Sequence, residues 1–489
     1  MLKLKTEDKK GIMNFKEIGI NLIFKNTIWL GIAEAVSKLV GFVIVVWMAR
    51  FFGPEIYGKW AFALSFTIIF SVFADFGLST LAVREIARDK LKTKKYVVNI
   101  IAIKLILGIL TFILVVFISQ FLGRDKTTTI LIQYLLIYVI LNTFAGFFES
   151  IFRAYEKMKY EAFCRIVQSI LLLFFAGFFI YNNFSITSVG LAYIGAVSFT
   201  VFLSFFIILF RFILPQKEKL SLNFSFQKKL LKESWPFGVS IVAIFLYNQF
   251  DQVMLGIMRT DREVGLYSAY FRIILALSVV GDIIAVSFFP QLSKIYKKNL
   301  KNFKKLSDSF LEIIYFFALP ISLAGILLAR QFVYFFFGKD YIDGILSFKV
   351  LIISVFFLFL SICFGEILKA SNKQRTYLNG MIFGVFLNIA LNLILIFKLG
   401  ILGAAIATLL AQIVILAYFY IRVKKFIKIN LYSGFFIALF SSIIMCILIY
   451  PLISTSHVIF ISILGAGIYF LSYFLLKKFL SLKSLWIKK

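Results

Sequence analysis

The chain is built from apolar runs of about twenty residues that alternate with short polar stretches. A run of that length crosses the hydrocarbon core of a bilayer as a helix, at a rise of ~1.5 Å per residue. The runs are continuous, whereas the strands of an outer-membrane barrel alternate apolar and polar positions over about ten residues. Because 61% of the residues are hydrophobic and only 16% are charged, the sequence predicts an all-α integral membrane protein.

These runs predict about fourteen transmembrane helices, and an even number places both termini on one side of the membrane. Trp29, Trp47, Trp60 and Trp235 lie near the ends of predicted spans, where we expect them to act as interfacial anchors. The spans cover approximately residues 27–51, 59–82, 96–122, 129–152, 161–181, 187–212, 236–258, 265–289, 309–337, 344–368, 376–397, 400–422, 432–451 and 457–477.

The formal net charge of +30 follows from lysines that are concentrated in alternate loops. Residues 84–95, residues 294–305 and both termini are basic, whereas loops 181–187 and 453–457 contain neither Lys nor Arg. Basic loops face the cytoplasm, so we expect a multi-pass protein of the cytoplasmic membrane with both termini in the cytoplasm. No loop is long enough to form a basic domain, and we therefore expect no nucleic-acid partner.

Two stretches of the sequence read as copies of one hairpin between long apolar runs. They are FFGPEIYGKWAFALSF, which contains Gly58, and MRTDREVGLYSAYFRI, which contains Gly265, 207 positions later (265 − 58). Asp75 and Asp282 recur at the same offset. A duplicated set of membrane helices is the usual construction of a transporter, with its site between the two halves.

A second echo supports a parallel repeat of six helices, because ESIFRAYEK from residue 149 resembles EILKASNK from residue 366. The longest connection without an apolar run follows the sixth predicted span, where a boundary between halves would lie. The predicted segments are a cytoplasmic arm (1–26), a six-helix half (27–212), a cytoplasmic linker (213–235), a second six-helix half (236–428), and two extra helices with a cytoplasmic tail (429–489).

The hairpin sequences resemble those of a known family. FGPEIYGKWAFALSF and DFGLSTLAVREIARD are similar to the N-terminal signature of Wzx-type oligosaccharide flippases, and YNQFDQVMLGIMRTDREVGLYSAYFRI is similar to the corresponding second-half segment. These flippases belong to the multidrug/oligosaccharidyl-lipid/polysaccharide exporter superfamily. The resemblance extends over the whole length of the chain.

The resemblance implies an alternating-access carrier that moves an oligosaccharide, linked through phosphate or pyrophosphate to a polyprenol, from the cytoplasmic to the outer leaflet. The sugar would pass through a hydrated cavity while the lipid tail stays in the bilayer. Such a carrier is expected to need no cofactor, with H⁺ or Na⁺ as candidate coupling ions. A single chain surrounded by membrane lipids is the expected transport unit, and glycan-assembly enzymes are candidate partners.

Placing a charged residue within a membrane span costs free energy, so each such residue is a candidate functional residue. Glu34 and Lys38 lie four positions apart on the first span, hence on one helical face where they can pair. They either line the substrate cavity, as the first helix of each half does in the resembled family, or form a neutral pair that only packs the bundle.

Asp251 is the best-supported acidic candidate for coupling or gating. Ser240, Tyr247 and Asn248 fall near the same face of the seventh span and would give this carboxylate a polar surrounding. Asp251 could bind a proton or Na⁺ and couple its descent to transport. We favour the alternative, in which Asp251 pairs with Arg272 on the next helix.

An anionic phosphate head needs cations that face the cavity, and Arg can hold a phosphate bidentately whereas Lys acts as a point charge. The candidates are Lys38, Lys104, Arg272 and Arg330. For Lys104 and Arg330 we favour a side chain that extends to the nearer membrane interface instead.

Asp75 and Asp282 lie toward helix ends that are predicted to be cytoplasmic, and a repeated position suggests a repeated role. Ion pairs or helix caps are the simplest role, and a gate is the second. Asn388 and Asn392, four apart on the eleventh span, can hydrogen-bond a sugar or, more commonly, an adjacent helix. The same helix-end role is expected for Glu149, Arg153, Glu366 and Lys369.

The sequence contains no catalytic constellation. The only histidine, His457, falls in a short external loop, and no Walker A motif is present. Cys164, Cys363 and Cys446 lack metal-ligand spacing, so we expect neither a metal site nor an enzyme. Two alternatives stay open: a cation-coupled multidrug exporter of the same superfamily, and a polyprenyl-phosphate sugar transferase or glycan polymerase.

Overall fold

The computed structural model of the chain describes residues 4–216, 221–296 and 298–486, with side chains described from residue 25 to residue 479 apart from residues 240, 243, 244 and 247. The described residues form fifteen α-helices and no strand. The helices are α1 Leu4–Asp75, α2 Leu78–Arg88, α3 Thr93–Gln120, α4 Lys126–Ala154, α5 Met158–Tyr181, α6 Ile186–Ile208, α7 Phe224–Met258, α8 Asp261–Tyr296, α9 Leu300–Leu327, α10 Ala329–Phe337, α11 Ile345–Ala370, α12 Gln374–Leu399, α13 Ile401–Lys424, α14 Phe435–Ile449 and α15 Val458–Trp486.

The helix lengths fit a polytopic membrane protein. Twelve of the described helical stretches are long and apolar enough to cross a membrane. The first of them, Lys25–Asp75, has 51 residues, which is long enough for two crossings. Its backbone leaves the helical conformation at Gly53, with φ 72° and ψ 174°, and α7 adds a helix of 35 residues. The predicted all-α membrane fold is confirmed.

The predicted span 59–82 is interrupted in the structure. The first helix ends at Asp75, because Phe76 (φ 51°) and Gly77 (φ 77°) both adopt the left-handed conformation, which terminates helices. A new helix, α2, starts at Leu78. Asp75 therefore lies at a true helix end inside the predicted span.

The chain divides into two units. Unit 1 comprises Met1–Phe51 and Ala63–Gln249, and in it α4 packs against α2, α5 and α6. One part of its buried core is formed by aliphatic and aromatic side chains. The core includes Leu78, Leu81, Ile86, Ile100, Phe147, Ile151 and Phe152.

Unit 2 comprises Phe52–Phe62 and Phe250–Lys489. In it α11 packs against α8, α9 and α13, while α14 packs against α9 and α15. Trp60 belongs to this unit and is 2% exposed, so the prediction that it is an interfacial anchor is wrong. The predicted repeat boundaries, 27–212 and 236–428, remain a prediction.

The two repeated glycines face each other within unit 2. A Cβ atom on Gly58 would lie 1.7 Å from the carbonyl oxygen of Asp261, and one on Gly265 would lie 1.8 Å from that of Pro54. Only glycine permits two backbones to approach so closely.

Candidate functional site

Asp251 in unit 2 is a buried carboxylate surrounded by neutral hydrogen-bond donors. Its side chain accepts hydrogen bonds at Oδ2 from the Tyr267 hydroxyl (2.7 Å) and the Thr408 hydroxyl (3.0 Å). At Oδ1 it accepts one from the side-chain amide of Asn392 (2.6 Å). Asp251 is 6% exposed, and its donors come from α8, α12 and α13. Neutral donors stabilise the carboxylate but leave its charge uncompensated.

Asn392 adds an unusual feature to this cluster. Its amide nitrogen also donates to the Asn388 side-chain oxygen at 3.0 Å, while its own oxygen is buried with no hydrogen-bond partner among the described residues. An orphaned buried acceptor calls for a water or an ion. Carboxylate, amide and hydroxyl oxygens together are the donor set of a hard cation. Asp251, Asn388, Asn392 and Thr408 therefore fit a small cation such as Na⁺.

The favoured ion pair between Asp251 and Arg272 does not form in this structure. Arg272 instead interacts with the hydroxyl of Tyr57, by charge and by a side-chain hydrogen bond, and Tyr57 is 2% exposed. Asn248 is partly buried on α7. The side chains of Ser240 and Tyr247 lie outside the described residues. The pairing prediction failed because Tyr267 and Thr408 supply donors to Asp251 that helix spacing along α7 does not reveal.

Unit 1 contains a cluster of three acids and three bases where α1, α4 and α5 meet. Lys38 Nζ lies 3.4 Å from Glu34 Oε1, which confirms the predicted pairing of these two residues. Arg165 Nη1 lies 3.4 Å from the other Glu34 oxygen. Both partners of the Glu34–Lys38 pair are about half exposed, at 51% and 47%. Neither side chain is enclosed by the described residues.

The buried part of the cluster is tighter. Arg165 Nη2 lies 2.8 Å from Glu149 and 3.0 Å from Glu161, whose side chains are 7% and 2% exposed. Arg153 Nε lies 3.1 Å from Glu161, and its Nη2 lies 3.8 Å from Glu149. The predicted Glu149–Arg153 ion pair is thus confirmed as one part of a larger network. We call these residues, with Glu34 and Lys38, the α1–α4–α5 cluster.

Asp75 and Lys104 form a buried ion pair in unit 1. Lys104 Nζ donates to Asp75 Oδ1 at 2.5 Å, and the Lys104 side chain has no exposed surface. Ser79 also donates to the same oxygen at 2.5 Å. This confirms the predicted ion-pair role of Asp75. The alternative in which Lys104 reaches an interface is wrong, because its partner lies inside the protein.

The remaining predicted residues are separate from these clusters. Asp282 is exposed on α8, which continues past it to Tyr296, so it does not end a helix as Asp75 does. Arg330 is exposed at the start of α10, and its reach to the membrane interface stays a prediction. Glu366 and Lys369 form the predicted pair at the end of α11.

An apolar cleft of about 740 Å³ lies between α1 and α5 of unit 1. The indole of Trp47 forms part of it and packs against Gly177, where a Cβ atom would lie 3.2 Å from the ring. Phe51, Phe174 and Phe178 add further aromatic surface. Arg50 and Asn182 also line this otherwise mainly apolar cleft.

Sequence reasoning missed four residues of these sites: Glu161, Arg165, Tyr267 and Thr408. Glu161 and Arg165 were detectable, because they lie four positions apart at the start of a span, in the same arrangement that singled out Glu34 and Lys38. Tyr267 and Thr408 gave no such signal, since hydroxyl groups are common in membrane helices.

The fold and these intramembrane sites define a multi-pass membrane protein. Residues 23–296, more than half of the chain, match the family described as "Polysaccharide biosynthesis protein". The chain belongs to this family, and the predicted relationship to Wzx-type flippases is confirmed.

Named relatives agree with this assignment. The chain is 24% identical over 409 residues to the capsular polysaccharide biosynthesis protein CapF of Staphylococcus aureus, covering 82% of this chain and 99% of CapF. It is 25% identical over 404 residues to the probable low-salt glycan biosynthesis flippase Agl15 of Haloferax volcanii, covering 79% of this chain and 80% of Agl15.

The fold has a counterpart among solved structures. The lipid II flippase MurJ in an inward closed conformation superimposes with a TM-score of 0.75 at 20% identity, covering 94% of this chain and 100% of that one. At that identity the likeness shows the fold alone.

Proposed function

We propose that this protein flips a polyprenyl phosphate- or pyrophosphate-linked oligosaccharide from the cytoplasmic to the outer leaflet of the cell membrane by alternating access. Membership of the polysaccharide biosynthesis family and the names of CapF and Agl15 support this substrate class. A single chain is the proposed transport unit, with glycan-assembly enzymes as candidate partners.

The observation that carries the proposal is the half-exposed cation Lys38 on a membrane helix. Its side chain is 47% exposed. A lysine at this position is too costly to face hydrocarbon and needs water and a counter-ion, and Glu34 meets this need only at 3.4 Å. A hydrated cavity that receives a phosphate head satisfies both requirements. Arg272, partly exposed and held by Tyr57, is the second proposed contact with that head.

A proteoliposome assay tests the proposal with a polyprenyl pyrophosphate-linked oligosaccharide placed in one leaflet. The reconstituted protein should move the lipid to the other leaflet. Lys38→Ala and Arg272→Ala should each lower the rate at least about tenfold, because each charge that contacts a phosphate contributes roughly 1.5 kcal/mol or more. Lys126→Ala, a change at an exposed lysine at the start of α4, is the control. Full activity in both variants would contradict the phosphate-head role.

We propose further that transport is coupled to Na⁺ or H⁺ through Asp251. The cluster of carboxylate, amide and hydroxyl oxygens around Asp251, with the orphaned Asn392 oxygen, supports this step. A bound cation would supply the positive charge that the neutral donors lack. Asp251, Asn388, Asn392 and Thr408 would hold it.

The coupling proposal predicts that Asp251→Asn abolishes the dependence of transport on Na⁺ and pH gradients. Thr408→Val should weaken Na⁺ binding about tenfold, because it removes one oxygen while it keeps the side-chain volume. Thr200→Val is a matched control, since the Thr200 hydroxyl donates only to a carbonyl four residues earlier. Gradient-dependent transport that is unchanged in Asp251→Asn would contradict the role of this site.

A further inference from the structure

Arg165 is fixed along one edge by buried acids. Its Nε and Nη2 donate to Glu149 Oε2 at 3.1 Å and 2.8 Å, and Nη2 lies 3.0 Å from Glu161. Both carboxylates are almost fully buried. A buried carboxylate that loses its partner is costly, so this edge of the guanidinium is committed to structure.

The opposite edge of Arg165 is held only weakly. Nη1 lies 3.4 Å from Glu34 Oε2, and the second Glu34 oxygen lies 3.4 Å from Lys38 Nζ. These distances exceed the usual 2.7–2.9 Å of a charge-assisted hydrogen bond. Half-exposed pairs of this kind contribute about 1 kcal/mol or less. Glu34 is therefore a replaceable partner for two cations.

The helices that carry the two cations are joined by a neighbouring contact. Ser37 on α1 and Ser169 on α5 are hydrogen-bonded at 2.9 Å. Ser37 lies beside Lys38 in the sequence, and Ser169 lies one turn after Arg165, to whose carbonyl it donates at 2.9 Å. The helices that carry Arg165 and Lys38 are thus joined by a contact that does not involve Glu34.

We propose that Arg165 Nη1 and Lys38 Nζ form a phosphate seat and that Glu34 occupies it as an internal counter-anion when no substrate is bound. A phosphate group carries more charge and more oxygen atoms than one carboxylate, and Arg suits phosphate geometry. The phosphate of the transported lipid displaces Glu34, which turns toward solvent. This inference rests on the proposed function and adds Arg165 and Glu34 to its substrate-binding residues.

The position of the seat suits substrate entry. Arg165 lies about two turns from the start of α5 at Met158, next to the basic segment that contains Lys157 and Lys159. The positive-inside rule places that end of unit 1 in the cytoplasm. A seat at this depth meets a lipid head group as it leaves the cytoplasmic leaflet.

Direct binding by the full-length protein in nanodiscs tests the seat. The probe is farnesyl pyrophosphate, with farnesol as the uncharged control, measured by calorimetry. Glu34→Gln keeps the side-chain length but removes the competing charge, so the dissociation constant should fall about fivefold. Lys38→Gln should raise it about tenfold. Glu55→Gln, at another exposed acid on α1, should leave it unchanged.

The direction of the Glu34→Gln effect decides the inference. Binding that is unchanged or weaker in Glu34→Gln, with an unchanged melting temperature, would show that Glu34 does not compete with the ligand. Arg165→Gln is less informative on its own, because it also leaves Glu149 and Glu161 without their partner.

Failure of the proposed function gives a different pattern. If the protein binds the pyrophosphate probe as described but does not move lipid-linked oligosaccharide in proteoliposomes, the phosphate seat is supported and the flippase proposal is contradicted. If the protein moves the lipid but Glu34→Gln leaves the affinity for the probe unchanged, the flippase proposal is supported and the phosphate seat is contradicted.

Discussion

Lys104 is a charged side chain with no exposed surface, and its counter-charge is the Asp75 carboxylate at 2.5 Å. The ring of Phe144 lies over the ammonium at 5.4 Å and adds a weaker cation–π interaction. A charge in such a place is stable only as part of its pair. Asp75 and Lys104 are therefore a structural unit that joins the end of α1 to α3.

Lys104→Met should lower the free energy of unfolding by about 3–5 kcal/mol, because it leaves the Asp75 carboxylate buried without a counter-charge. The double variant Asp75→Asn with Lys104→Met should recover part of that loss, since neither charge then remains. Unfolding in detergent measures both variants, and Lys126→Met is the exposed control. A small effect of Lys104→Met, like that of the control, would show that the pair is dispensable.

At the scale of single residues, contacts within one helix could be predicted from the sequence, whereas contacts between distant helices could not. Glu34 and Lys38 were predicted to pair because both lie on one helix, and helix geometry alone fixes their separation. The surroundings of Asp251 could not be predicted in the same way. Its partners Asn392 and Thr408 lie 141 and 157 positions away, and their approach depends on how α12 and α13 pack.

At the scale of helices, the two copies of the repeated hairpin approach each other very closely at Gly58 and Gly265. A Cβ atom added to either glycine would collide with the backbone of the other copy, at 1.7 Å for Gly58 and 1.8 Å for Gly265. No side-chain rotation can relieve a contact with backbone. The two hairpins can pack this closely only if both positions remain glycine.

Gly58→Ala and Gly265→Ala should each lower the free energy of unfolding by about 1–3 kcal/mol or more, because the added methyl group forces the helices apart. Gly41→Ala is the matched control on α1, since a Cβ atom there meets nothing within 4 Å. That change should be neutral or stabilising by up to about 1 kcal/mol, because alanine is the better helix former. Thermal unfolding in detergent compares all three, and equal melting temperatures would contradict the packing argument.

Most helices could be predicted from apolar length, but their interruptions could not. The predicted spans 161–181 and 400–422 correspond closely to α5 and α13, since hydrophobic thickness sets both limits. The break at Phe76 and Gly77 was missed because a single glycine in an apolar run is common. The Gly58–Gly265 approach was also missed, although the repeat itself was detected, because a repeat does not show that its copies touch.

On the scale of the whole molecule, positive charge is in large excess over negative charge. The net charge of +30 is carried by 53 Lys and Arg residues against 23 Asp and Glu residues. The described acids lie largely in pairs and networks, such as the α1–α4–α5 cluster, whereas the excess lysines are concentrated in alternate loops, which are predicted to share one side of the membrane. By the positive-inside rule, that excess predicts the orientation of the chain in the membrane.

Both termini should therefore lie in the cytoplasm, and reporter fusions test this directly. Green fluorescent protein fused after Lys489 should fluoresce, and alkaline phosphatase fused there should be inactive, because the enzyme requires export. The same phosphatase inserted in the uncharged loop at 182–185 should be active, since the positive-inside rule places that loop outside. An active phosphatase at the C-terminus would reverse the orientation. The phosphate seat at Arg165 would then open toward the outer leaflet, and the proposed direction of transport would have to be reversed with it.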